Sequence, residues 1–140
     1  MTSMLRNRYM TDGVAAMSNE RILLALFDRL LADLDKAEAA IGARQIAGAH
    51  ESLIHAQRIV EELYLAVDTD VWAEGKDLVG IYLHAQHLLV EANLRKDAVP
   101  VRACREILAP LAGAFRQAYE TTRQAAPVRS AAAGSFNAGA

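Results

Sequence analysis

The sequence predicts an all-α protein, an antiparallel four-helix bundle with an extended N-terminal arm and a disordered C-terminal tail. Three observations carry that reading. Composition is 53% hydrophobic but only 6% aromatic, with three prolines and eight glycines in 140 residues, which favours helices over strands. Apolar residues recur at gaps of three and four in four separate segments, and no segment of period two competes. The links between those segments are short, so consecutive helices are antiparallel neighbours.

Residues 1–17 read as an arm. They include Gly13 and show no sustained period, yet they contain Met4, Leu5, Tyr9, Met10 and Val14. A fully solvated tail rarely needs such residues. The bundle spans 18–124. Its first helix starts after Ser18 or Asn19, either of which can cap. Ile22, Leu23, Leu26, Phe27, Leu30, Leu31 and Leu34 then share a face as far as Ile41, and Gly42 is a natural stop. The second helix, from about Arg44 to Val67, sets Ile46, Ala49, Leu53, Ala56, Val60, Leu63 and Val67 in one seam. The third, about Val71 to Lys96, has two apolar stripes. One is Leu78, Tyr82, Ala85, Leu89 and Ala92; the other is Val79, Leu83, Val90 and Leu94. Pro100 suits the first turn of the fourth helix. Its seam of Val101, Cys104, Leu108, Leu111, Phe115 and Ala118 runs to about Arg123, with a kink expected at Pro110. From Ala125 to 140 the chain is small-residue and unpatterned, which reads as disorder.

Bulk numbers narrow the function. A net charge of -2 argues against general nucleic-acid binding. The single cysteine forbids an internal disulfide and fits a reducing compartment. No secretory signal is visible at the N-terminus. The longest charge-free apolar run, "LVGIYLHAQHLLV", is shorter than the roughly 20 residues that span a bilayer. The expectation is a cytoplasmic protein without membrane insertion.

Catalytic constellations are weak. A di-metal bundle needs two inward Glu-x-x-His units, and none of His50, His55, His84 and His87 has a glutamate three residues before it. His84, His87 and Glu91 share a helix face but lack a fourth ligand. Arg44 and His50 form an Arg-x5-His pair resembling the loose motif of helical HEPN-type ribonucleases. With twelve arginines and four histidines, about one such match arises by chance. Cys104 sits in a core seam, with no activating neighbour. Gly75 and Gly80 lie within the third helix, where either close helix approach or an opening for a partner would account for them. No cofactor is expected.

A surplus of apolar surface remains. Ile54, Ile59, Tyr64 and Leu65 lie off the second-helix seam, and the third helix has its second stripe. Such surface suits a partner helix lying in a groove, or else tight antiparallel packing or self-association buries it. Asn93, in "LLVEANLRKD", borders this region. Its amide either meets cargo backbone or bonds a neighbouring loop and fixes the turn beside Asp97.

Several stretches resemble the flagellar secretion chaperones, the flagellin-specific FliS family. Tyr9 and Val14 fit an N-terminal Tyr-x4-Val element. "LLALFDRLLADLDKAEAAI" is similar to the leucine-rich first helix, with Phe27-Asp28 where a Tyr-Asp pair is usual. "AHESLIHAQRIVEEL" resembles the second-helix signature. "IYLHAQHLLVEANLRKDA", with Tyr82, Leu89, Ala92, Asn93 and Asp97, is the most diagnostic. His55 stands where a lysine is usual, His84 where a second aromatic is common, and Phe115 where tryptophan is frequent.

The resemblance implies a non-enzymatic export chaperone. It would bind the disordered C-terminal segment of flagellin in an apolar groove, prevent premature polymerisation and deliver the cargo to the flagellar type III export apparatus. Partners would be that segment and the cytoplasmic domain of the export gate, without nucleic acid. The expected groove residues are Ile54, Gln57, Ile59, Tyr64, Val79, Tyr82, Leu83, Val90 and Asn93. Tyr9, Met10 and Val14 would cap the empty groove. Which stripe of the third helix faces out stays open, because Tyr82 shares the face read as core. The alternative is a small HEPN-like ribonuclease using Arg44 and His50.

Overall fold

The structure is a computed structural model that describes residues 19–136, with side chains to residue 124. Four helices follow in order: α1 (Asn19–Gly42), α2 (Ile46–Leu65), α3 (Gly75–Arg95) and α4 (Ala98–Phe136). Consecutive helices pack side by side, and α4 closes the ring against α1. This is the four-helix bundle that the apolar periodicity predicts.

The core is built from the expected seams. Phe27, Leu30, Leu34 and Ala37 of α1 meet Leu53, Ala56, Val60 and Leu63 of α2. Leu78, Tyr82, Ala85, Leu89 and Ala92 of α3 and Val101, Cys104 and Leu108 of α4 complete it. Phe27 lies between two rings, with centroids 6.4 Å from Tyr82 and 5.6 Å from Phe115. Full burial of one such large side chain stabilises the fold by about 2–3 kcal/mol. Two seam members fall outside: Ile46 is 55% exposed at the first turn of α2, and Ala118 is exposed.

The helix ends differ from expectation in an instructive way. Gly42 does not supply the stop, because no glycine among the described residues has a positive φ. Arg44 does, at φ 57°. The amide of Gln45 donates back to Ala40 O and that of Arg44 to Ile41 O, which satisfies the last carbonyls of α1. Arg44 therefore closes α1 and is not part of α2. Lys96 repeats the device after α3, with φ 51° and the Asp97 amide donating to Ala92 O at 3.1 Å. Asp97 then caps α4 by accepting from the Val99 amide at 2.9 Å.

Gly75 and Gly80 divide between the two readings. A Cβ on Gly75 would come within 2.9 Å of Val67 Cγ1, so the loop before α3 needs a bare backbone there. A Cβ on Gly80 would meet nothing within 4 Å. Helix α4 passes unbroken through Pro110. Where the sequence reading has an unpatterned tail from 125, the backbone carries the helix on to Phe136. Extending an existing helix avoids the nucleation cost, so no apolar pattern is required.

Candidate functional site: the outer face of α2 and α3

Two polar rungs bridge α2 and α3. Gln86 Nε2 donates to the backbone carbonyl of Gln57 at 3.1 Å. Two turns along each antiparallel helix, the Asn93 amide nitrogen lies 3.0 Å from His50 Nδ1, with Oδ1 3.3 Å from the same atom. This register sets positions 50, 54, 57, 61 and 64 of α2 opposite 93, 90, 86, 83 and 79 of α3.

The apolar members of these ladders are incompletely covered. Ile54, Tyr64 and Val79 are half-buried. Leu83 is 51% exposed and Val90 40%. Leu94, 81% exposed, and Ile46 continue the apolar surface towards one end, and Leu65 lies towards the other. The outward stripe of α3 is therefore the one beginning at Val79, and the Tyr82 stripe faces the core.

Six expected groove residues come together here with Asn93: Ile54, Gln57, Tyr64, Val79, Leu83 and Val90. Two do not. Tyr82 is 1% exposed and Ile59 6%, both within the core cluster. Tyr82 is on the inward stripe, and burial alone raises its hydroxyl pKa. Ile59 is drawn in because α2 buries an arc wider than a single seam, taking in 56, 59, 60 and 63. The cap residues Tyr9, Met10 and Val14 lie outside the described residues.

The loop reading of the Asn93 amide does not hold. The side chain bonds His50 on α2, while the turn is fixed by Asp97 and by Lys96, whose Nζ donates to Asn93 O at 2.6 Å. Gln86 is not among the expected groove residues. Its place on the ladder 79, 83, 86, 90 was the signal that could have found it.

The other candidates find structural roles. Cys104 is fully buried, its thiol pushed up to about 12 by burial, and Sγ donates to Ala85 O at 3.8 Å. His84 and His87 are exposed, and Glu91 pairs with Arg95 at 3.8 Å. Among the described residues no group of three or more His, Cys, Asp or Glu could hold a metal ion. Arg44 and His50 are not two positions of one helix, since Arg44 lies in the turn before α2. His55 Nδ1 bonds the buried carboxylate of Asp33 across the α1–α2 seam. No described helix is long and apolar enough to cross a membrane.

No curated protein matches this chain. Among solved structures, the crystal structure of a flagellar chaperone from bacteria shares the fold, with a TM-score of 0.69 at 20% sequence identity. That match covers 86% of this chain and 99% of the other. The family model described as Flagellar protein FliS matches residues 1–122, nearly all of the bundle and the segment before it, and the chain therefore belongs to the FliS family of flagellar chaperones.

Proposed function

We propose that this protein is a cytoplasmic export chaperone for flagellin. It receives the disordered C-terminal segment of flagellin on the α2–α3 face, keeps it from polymerising and hands it to the flagellar type III export apparatus. One observation carries the reading: Leu83 and Val90 stay 51% and 40% exposed on a face framed by Ile54, Tyr64 and Val79. The bundle core is complete without them, so this apolar surface suits an amphipathic segment laid between the helices. Family membership supports flagellin as the cargo and the export gate as second partner in this reading. The reading involves no catalysed reaction.

Tyr9, Met10 and Val14 cover the empty face in this reading and leave when cargo arrives. Titration calorimetry with a flagellin C-terminal peptide tests both parts. Saturable binding with a negative heat-capacity change is expected, weakened at least tenfold by Leu83→Asp and strengthened by removal of residues 1–17. Binding indifferent to Leu83→Asp would move the cargo site elsewhere on the bundle.

A further inference from the structure

Gln86 is at the midpoint of the α3 ladder, between Leu83 and Val90. Its Nε2 is committed to the Gln57 carbonyl. A backbone carbonyl can only accept, so the amide cannot be turned over without losing that bond. The oxygen is thereby left as the spare atom. Gln86 Oε1 is shielded from solvent and has no hydrogen-bond partner.

A buried acceptor without a donor costs free energy in the empty protein, and an apolar side chain of the same shape would avoid that cost. Packing of the four helices does not need the oxygen. Leu83 and Val90, one turn to either side, are half exposed, so Gln86 sits between the two bare apolar side chains against which an occupant would press.

We propose that Gln86 is a specificity-determining residue of the α2–α3 face, its Oε1 accepting from a donor on the apolar side of the bound segment. The inference rests on the groove reading above. The preferred occupant is an amphipathic segment whose apolar stripe is broken once by a serine, threonine, asparagine or glutamine. A wholly apolar stripe leaves Oε1 unpaired and binds less well. The rung also holds the acceptor in place, because Nε2 anchors the amide to α2 before any occupant arrives.

The test uses the full chain and a flagellin C-terminal peptide, with each polar residue of the peptide changed in turn to alanine. Gln86→Leu is expected to leave the melting temperature unchanged or higher and to weaken binding about tenfold. One peptide position should lose affinity with wild type and lose no more with Gln86→Leu. Gln86→Met repeats the measurement if the leucine variant melts lower. The inference is overturned if both Gln86 variants bind as wild type, or if no peptide position is coupled to Gln86. Leu83→Asp separates the two levels. Binding lost there but unchanged by Gln86→Leu removes only the role of Gln86, whereas binding unchanged in both variants, or absent from wild type, removes the groove reading itself.

Discussion

The two outer faces of the bundle are held together by different chemistry. Between α1 and α4, Arg105 bonds Glu38 at 2.7 Å and Asp35 at 3.0 Å, Arg102 reaches Glu38 at 3.1 Å, and Arg116 meets Asp28 at 2.6 Å. Next to that last pair, Phe27 and Phe115 stack in a tilted arrangement. Between α2 and α3, Gln86 bonds the Gln57 carbonyl and Asn93 bonds His50, flanked by exposed Leu83 and Val90. Charged pairs with long side chains roof the α1–α4 seam. The α2–α3 seam leaves its apolar side chains bare. One bundle thus assigns permanence to one face and availability to the other.

The largest expected effect separates core from open face. Phe27→Ala should cost about 3–5 kcal/mol in urea denaturation. Leu83→Asp should cost no more than about 1 kcal/mol while removing peptide binding. A large loss of stability in Leu83→Asp would make that face part of the core and erase the contrast.

Next comes the α1–α2 seam. Asp33 is 4% exposed and relies on His55. His55→Ala should destabilise the protein by about 2 kcal/mol, since a buried carboxylate loses its partner. Chemical denaturation at neutral pH measures this, and a change near zero would mean that Asp33 is satisfied in another way.

The two glycines of α3 sharpen the picture with opposite signs. Gly80→Ala should stabilise by about 0.5–1 kcal/mol, because the new methyl meets nothing and the helix gains propensity. Gly75→Ala should destabilise by about 1 kcal/mol, because Val67 must move. Thermal melts of both variants suffice. Loss of stability at Gly80 would reveal a neighbour on the open face.

The smallest effect belongs to the charged face. Hydrogen bonds from Arg105, and then from Arg102, hold the Glu38 carboxyl below its ordinary value of 4.5. Its contribution is therefore fully present above that value and is lost as pH falls through the lowered folded-state pKa. Glu38→Gln should cost roughly 0.5–1 kcal/mol near pH 7 at low salt. The gap to wild type should close in acid and narrow in high salt. A gap that persists at pH 2 would indicate a packing role.

Much of this was legible because periodicity is a local property. The seams through Leu30, Val60, Leu89 and Cys104 could be read at gaps of three and four, and they are the core. Helix ends were harder. Gly42 looked like the stop, but Arg44 and Lys96 adopt the left-handed conformation because carbonyl satisfaction, not side-chain preference, decided the turn. In the groove, Leu83 and Val90 were readable as surplus apolar residues. Tyr82 and Ile59 were misplaced because a helix that is apolar on two sides does not say which side its neighbours will cover.

By itself the sequence determined the all-α class, the helix number, the inward seams and the family signatures around Tyr82 and Asn93. Those follow from the spacing of apolar residues along one helix, which needs no knowledge of the others. Only the tertiary structure decided that the Val79 stripe faces out, that Asn93 reaches His50 and that Gln86 keeps an unpaired oxygen. Each of these depends on the register between two helices, and no single helix encodes that.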